Sequence, residues 1–208
     1  MRDIFDRPTP YTLSSTYLKP ATKNSLVAHV KLKDSAFKAV PASKFLAPQI
    51  TGGGRPLKRF ERALRSVGAL PSNMYVVPGE AARLDAYGNM SPGQIVQMLS
   101  YFRAFPEVGY RANITEKRKL SLAKGNRKRY GIAYFVGRPG GGPLGIWQRE
   151  IHGLGSRIRP VMIFVSRAYY EARFDFAGVA QKIIERELPA QLNLAWAHAL
   201  ATQRTTGA

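Results

Sequence analysis

The side chains of this sequence that could do chemistry are mainly cations, and the first group follows a glycine run. Residues 52–54 are three glycines, and a basic segment follows them. Free backbone N–H groups ahead of a helix can cradle a phosphate. The Lys-Ser or Lys-Thr pair that closes a P-loop is missing, so a plain loop, with or without nonspecific phosphate contact, is the alternative. The candidate contact residues here are Arg55, Lys58, Arg59 and Arg62.

The second group of cations lies between residues 111 and 129, where eight residues are Lys or Arg and Glu116 is the single acid. Such a run is typical of a phosphate-tracking arm, of a disordered solvated loop, or of a segment that becomes ordered only in an assembly. All three interpretations stay open. The candidate residues for contact with DNA or an acidic partner are Lys117, Arg118, Lys119, Lys124, Arg127, Lys128 and Arg129.

The charge balance of the whole chain points to the same class of partner. Its 208 residues include 32 Lys and Arg against 13 Asp and Glu, which gives a formal net charge of +19. An excess of this size creates a strong positive field around a small protein. We therefore expect a polyanion or an acidic protein as partner. Charge alone does not distinguish among DNA, RNA, an anionic membrane and an acidic neighbouring subunit.

Catalytic and metal-binding patterns are missing from the sequence. The absence of cysteine excludes disulfides, thiolate nucleophiles and Cys-ligated metals, and the three histidines are far apart. No nucleophile elbow, zinc-protease motif or dinucleotide-binding glycine pattern occurs. Glu150, Glu171 and Asp175 could converge as ligands of a two-metal nuclease, but pairing with nearby bases is the ordinary explanation of such acids. We predict no enzyme activity, no cofactor and no metal.

The elements that must position the cations are clearest in the last quarter of the chain. Residues 159–167 have the length and β-branched content of a strand covered on both faces, with Val161 and Met162 on opposite faces. From Phe176 onward, apolar residues follow helical spacing over about seven turns. Pro189 predicts a kink or break near Leu188, and one curved surface helix is the alternative. This stripe of apolar residues should dock on another surface.

The remaining elements suggest an α+β fold. Residues 11–18 and 25–33 should form one hairpin, and residues 129–137 and 144–150 a second. Helices are expected at residues 57–67 and from Ser91-Pro92 onward. We predict a mainly antiparallel sheet built from hairpins and covered by helices, with a long C-terminal amphipathic helix. Residues 1–68 and 130–208 should form one core domain, and residues 69–129 an insertion with one helix and a basic arm.

Several segments resemble those of a known group of proteins. A first hairpin is followed by Phe-Leu-Ala-Pro-Gln-Ile-Thr-Gly-Gly (45–53), Gly-Ile-Trp-Gln-Arg (145–149), Arg-Pro-Val-Met-Ile-Phe-Val (159–165) and the C-terminal helix. This order is similar to that of tailed-bacteriophage tail-completion or neck proteins, in particular the lambda minor tail protein Z group and related prophage tail proteins. Those proteins usually begin with a long helix, whereas this chain enters its first hairpin almost at once.

The resemblance implies a structural protein of the virion without enzymatic activity. Such a protein joins a homo-oligomeric ring at the head-tail joint, around the DNA channel, and touches tail, neck or portal-side proteins. It would be made in the host cytoplasm and end in the particle. The sequence shows no membrane span and no signal peptide. A nucleic-acid-binding protein outside any virion, such as a ribosome-associated or chromatin-like factor, is the alternative.

Overall fold

The computed structural model describes residues 1–37, 39–105, 112–126, 130–152 and 155–203. The chain divides into two compact units. The terminal unit comprises Met1–Gly53 and Tyr170–Ala208, and the central unit comprises Gly54–Tyr169. The boundaries expected at 68/69 and 129/130 differ from these, and both fall inside the central unit. The reason is that segments on both sides of them contribute to one hydrophobic core.

The helices and strands are of ordinary length except for the last helix. The helices are α1 (Pro10–Leu13), α2 (Ala42–Thr51), α3 (Arg59–Ser66), α4 (Pro92–Tyr101), α5 (Glu116–Lys124) and α6 (Phe176–Gln203). The strands are β1 (Thr16–Lys19), β2 (His29–Leu32), β3 (Gly53–Gly54), β4 (Tyr75–Pro78), β5 (Gly131–Gly137), β6 (Gly145–His152), β7 (Gly155–Val165) and β8 (Tyr169–Tyr170). A short 3-10 helix, Pro139–Gly141, follows β5. These elements confirm the predicted α+β class, its antiparallel pairing and its long C-terminal helix.

The central unit is built on a four-stranded antiparallel sheet of order β4-β7-β6-β5. The register pairs Val76 with Phe164 and Ile146 with Met162, which places these four apolar side chains on one face. They are buried in one cluster with residues of α3 and α4, among them Leu64. Burial of this face beneath helices is the main stabilising contribution to the unit. The expected hairpin of β5 and β6, the strand β7 and the helices α3 and α4 are all confirmed.

A β-bulge in β7 changes the expected distribution of its side chains. Ile146 pairs with Met162, and the next residue, Trp147, pairs with Pro160, so Val161 has no partner of its own in the ladder. An extra residue in one strand shifts the alternation of its side chains by one position. Val161 and Met162 are both buried, as expected of a strand covered on both faces.

Helix α5 occupies part of the segment for which the sequence suggests an arm. The Thr115 side chain accepts a hydrogen bond from the backbone N–H of Arg118, and Gly125, with a φ of 67°, ends the helix. The end of α5 lies directly on β5, because Gly131 has no side chain to keep the backbone of Ala123 away. The close approach fixes α5 on the sheet.

The terminal unit contains the first predicted hairpin in a shorter form. Strand β1 pairs with β2 from Thr16 opposite Leu32 to Lys19 opposite His29. The prediction that the first strand begins at residue 11 is wrong, because residues 10–13 form the single turn α1. The Thr9 hydroxyl accepts the Thr12 N–H at 3.1 Å, and this cap with a proline after it favours a helical turn.

A small apolar cluster holds the rest of the terminal unit together. Ala42 and Leu46 of α2 are buried with Phe174, and the Phe5 ring lies edge-on to Phe174 with the ring centroids 5.5 Å apart. The sequence does not predict α2, because Pro48 lies within it. Burial of these few side chains defines the cluster.

Helix α6 is a single helix of 28 residues, and its side chains are largely exposed. It continues through Pro189 without a break near Leu188, in agreement with the single-helix alternative. Asp175 caps its first turn by accepting the Gly178 N–H at 2.9 Å. The apolar stripe is uncovered in this chain: Leu192 is 58% and Trp196 69% exposed. None of the helices in the described ranges is both long and apolar enough to cross a lipid bilayer.

We predict that Gly131→Ala destabilises the central unit by about 1–3 kcal/mol, the usual cost of overpacking. A Cβ at this position would overlap the carbonyl oxygen of Ala123, so α5 or β5 must shift. Gly155→Ala, at the start of β7, is the matched control because a Cβ there meets nothing within 4 Å. Urea unfolding of both variants measures the difference, and equal stability of the two would contradict the close contact.

Candidate polyanion-binding site

The first group of predicted contact residues is divided between the surface and the interior. Arg59 and Arg62 of α3, and Lys58 before it, are exposed. Arg55 is not at the surface: its side chain is 10% exposed and its guanidinium binds the Glu61 carboxylate through two hydrogen bonds, of 2.7 and 2.5 Å. Arg55 is therefore committed to an ion pair inside the protein, in which it stabilises a carboxylate and not a phosphate.

The Glu61 carboxylate accepts two further hydrogen bonds from the backbone. The N–H groups of Val76 and Lys58 donate to it at 2.8 and 2.7 Å. Because Glu61 is 0% exposed, both its oxygens depend on these protein donors for solvation. The carboxylate joins the start of α3 to strand β4, and the Arg55 guanidinium also donates to the Val76 carbonyl at 3.2 Å.

The protonation of Glu61 follows from this environment. Burial by itself would raise its pKa, but the hydrogen bonds from Arg55, Val76 and Lys58, together with the positive charge of Arg55, outweigh burial and hold the pKa below its usual value. The carboxylate is ionised at neutral pH. The ion pair is thus present over the whole physiological range.

The second group of predicted contact residues lies on α5, where its members differ in their contacts. Lys119 is 3.3 Å from Glu116 and lies over the Tyr101 ring at 5.2 Å. Lys117, Arg118 and Lys124 are exposed, and within the described ranges no ion pair involves them. The predicted contacts Arg127, Lys128 and Arg129 lie outside the described residues. The exposed cations of α5 are available to an external anion.

A cleft of about 800 Å³ lies beside α5. Its lining includes Arg118 and Leu122 from α5, Arg83 from the segment between β4 and α4, and Tyr130 and Ile132 at the start of β5. A second cleft of about 420 Å³ shares Arg118 and Leu122 with it. These two residues are four positions apart and therefore lie on the same face of the helix. The cleft brings two arginines from distant parts of the sequence to one site.

Arg83 is held at the cleft by a buried glutamine of α4. The side chain of Gln94 is 2% exposed; its oxygen accepts the Arg83 N–H at 2.7 Å, and its nitrogen donates to the Ala81 carbonyl at 2.9 Å. The Ser91 N–H donates to the Arg83 carbonyl at 2.7 Å. Both backbone groups of Arg83 are thereby fixed, while its side chain is at the surface. The site has a rigid base and long, adaptable cationic side chains.

Glu150 also lines the cleft, and its charge is offset. Arg159 is 2.5 Å from its carboxylate, and the Gln148 amide donates to the same oxygen at 2.7 Å. Glu171 and Asp175, the other candidates for a nuclease site, belong to the terminal unit. Across the described residues, no three acids or histidines are grouped closely enough to hold a metal ion. Pairing with a neighbouring base accounts for the environment of Glu150.

Sequence reasoning missed three residues of this site: Arg83, Gln94 and Tyr130. Arg83 and Tyr130 are isolated from the two cationic groups in sequence, so only the fold shows that they share a cleft with Arg118. Gln94 follows the Ser91-Pro92 helix start, which predicts a helix but not a buried amide. The signal available in the sequence is a polar residue at a helical position whose spacing predicts burial.

Comparison with known proteins identifies no relative of this chain. No protein-family model, no curated protein and no solved structure matches the chain. The resemblance to phage tail-completion proteins therefore rests on the sequence segments alone, and the site is interpreted from its own geometry.

We predict that Glu61→Gln lowers the free energy of unfolding by about 3–5 kcal/mol, the usual cost of removing one partner of a buried ion pair. The amide cannot balance the Arg55 charge. Glu80→Gln is the matched control, because the pair of Glu80 with Arg157 is exposed and should contribute less than about 1 kcal/mol. Urea unfolding at neutral pH compares the variants, and similar losses in both would contradict the buried pair.

The same pair should produce an acid-dependent loss of stability. A lowered pKa in the folded state means that the stabilisation is fully present above the unfolded value of about 4.3 and is lost as the pH falls through the folded value. The difference in unfolding free energy between wild type and Glu61→Gln should therefore shrink below about pH 4.3. A difference that is constant with pH would show that Glu61 stabilises by packing alone.

Proposed function

We propose that this chain is a structural protein of the bacteriophage virion, which joins a multimeric ring around the DNA channel at the head-tail joint. The proposal is supported by the resemblance of its ordered sequence segments to those of tail-completion and neck proteins. The observation that carries it is the exposed apolar surface of the terminal unit. That surface is present on α6 and on the hairpin of β1 and β2.

The exposed apolar residues of α6 can contribute to association. Eight of its described apolar residues are between 41% and 69% exposed: Val179, Ile183, Ile184, Leu188, Leu192, Leu194, Trp196 and Leu200. Burying the exposed half of one such side chain contributes roughly 1 kcal/mol, but the eight are distributed around the helix, so a single interface buries only some of them. Association costs about 4–15 kcal/mol in lost freedom, so other surfaces of the chain must contribute to the ring as well. A subunit of an obligate assembly is expected to have such a surface.

The hairpin of β1 and β2 gives a second reason to expect an assembly. Leu18, Leu26 and Val27 are 61%, 86% and 56% exposed, and β1 and β2 form a sheet of only two strands. A two-stranded hairpin without a covered face is marginally stable in water. Its free edges can pair with a strand of a neighbouring subunit. We propose that the hairpin becomes covered in the ring.

The exposed cations suit a position next to DNA. Arg59, Arg62, Lys117, Arg118 and Lys124 would meet DNA phosphates in the channel or an acidic neighbouring protein. The chain would use surfaces, with no catalytic centre, and its partners would be further copies of itself and adjacent tail, neck or portal-side proteins. Its location would be the particle, after synthesis in the host cytoplasm.

A nucleic-acid-binding protein outside any virion is the second candidate function. The arginines of the cleft beside α5 are the observation that favours it. Quantitative mass spectrometry of purified particles from the source phage separates the two functions. A few copies per particle, in the stoichiometry of a ring, would support the head-tail joint, and absence from the particle would overturn it.

We predict that Leu192→Glu with Trp196→Glu abolishes oligomer formation and incorporation into particles. A charge buried in an apolar interface has lost its hydration without gaining a partner. The double substitution should leave the monomer folded, because both side chains are exposed in α6.

The matched control is Gln191→Glu with His198→Glu, which adds two carboxylates at exposed polar positions of the same helix. Light scattering measures the oligomeric state, and complementation of a phage lacking the gene measures incorporation. Normal assembly by the Leu192 and Trp196 variant would show that α6 is not the interface.

A further inference from the structure

The cleft beside α5 has the size and mixed lining of a small-ligand site. Its volume of about 800 Å³ lies within the range of about 300–1,000 Å³ that is typical of ligand pockets. Its position depends on ordered elements, because Gln94 fixes Arg83 and the contact of Ala123 with Gly131 fixes α5. The surface cations described above are scattered over helices, whereas the open cleft brings polar and apolar groups together at one site.

The electrostatics of the cleft favour an anion. Arg83 and Arg118 both line it, and no ion pair within the described ranges involves either side chain. Glu150, the acid in the lining, is held by Arg159 at 2.5 Å. The planar guanidinium has donors in a fork that matches the oxygens of a phosphate. An anionic group between the two arginines would therefore meet little opposing charge.

Other residues of the lining favour a flat, partly apolar group. Tyr130 is 65% exposed, and its ring meets the edge of the His152 ring with the centroids 4.2 Å apart. Leu122 and Ile132 provide apolar surface, and Gln97 provides an amide that can donate and accept hydrogen bonds. Stacking on an exposed aromatic ring is a common way in which proteins hold a nucleobase.

We propose that this cleft binds one nucleotide, with its phosphate at Arg83 and Arg118 and its base against Tyr130. The inference does not depend on a place in the virion, since it concerns only groups of the central unit. An inorganic phosphate would use the arginines without the aromatic ring, and an acidic peptide would have no base for Tyr130. The nucleotide could be free or part of a single strand, because the two present the same chemistry to the cleft.

The test measures binding of a fluorescein-labelled oligothymidylate of about twelve nucleotides to the full-length protein at roughly 0.15 M salt. Arg83→Glu and Arg118→Glu should each weaken binding by at least about tenfold, because each removes a phosphate contact and adds repulsion. Tyr130→Ala should weaken it by about tenfold through loss of stacking. Arg167→Glu is the matched control, since it reverses an exposed charge outside the cleft, and should change affinity by less than about threefold. Urea unfolding confirms that each variant is folded.

Competition with unlabelled compounds identifies the source of the nucleotide. Thymidine monophosphate that displaces the strand, and does so at least about tenfold better than inorganic phosphate, would support binding of a free nucleotide as well. Displacement by unlabelled strand alone, with the same sensitivity to the three cleft variants, would support binding of a strand.

Any of four results would overturn the proposal, of which the first three concern the strand and its competitors. They are no binding by the wild type, equal weakening by Arg167→Glu and the cleft variants, and displacement of the strand by inorganic phosphate as effective as its displacement by the monophosphate. An acidic peptide that displaces the strand from the arginines while Tyr130→Ala has no effect would also overturn it. Particle mass spectrometry is unaffected by any of these outcomes, so failure of the cleft and failure of the virion proposal are distinguishable.

Discussion

The buried carboxylate of Glu61 is the interaction on which the central unit depends. It costs free energy to take a charge out of water, and here Arg55 and two backbone N–H groups compensate for that cost. These donors come from the segment before α3 and from β4, so the carboxylate can be satisfied in one arrangement of the two. Strand β4 then pairs with β7 at the edge of the sheet. The relative position of a helix and the sheet that it covers is thus set by hydrogen-bond geometry as well as by apolar packing.

The parts of the fold that can be predicted from the sequence are those governed by local periodicity. The hairpin of β5 and β6, the strand β7, and helices α3 and α4 have regular apolar spacing or a clear start such as Ser91-Pro92. Helix α5 is harder to predict, because the segment is first noticed as a run of charges. The N-cap residue Thr115 and the terminating residue Gly125 are then not recognised. The bulge at Val161 depends on pairing with a different strand, which the spacing of one strand does not contain.

The candidate site is harder to predict for the same reason. Arg55 looks like a phosphate ligand after its glycines, but its partner Glu61 also needs Val76, which lies fifteen positions further along the chain. Arg83, Arg118 and Tyr130 lie in different elements and meet only because α4 and α5 are fixed near β5. Residue type indicates what a side chain can bind, whereas the tertiary structure decides which side chains share a ligand.

The two units differ in kind: one has an extensive core, and the other exposes much of its apolar surface.

Pro189 affects how a partner could pack along α6. Proline has no N–H, so the carbonyl oxygen of Glu185, four residues earlier, has no donor within the helix. At a rise of about 1.5 Å per residue the helix is roughly 42 Å long, and this oxygen lies near the end of its first third. Apolar contacts along such a length tolerate sliding, because many offsets bury similar area. A hydrogen bond to the single carbonyl oxygen of Glu185 can form at one offset only. A partner that supplied its donor would therefore be held in one register.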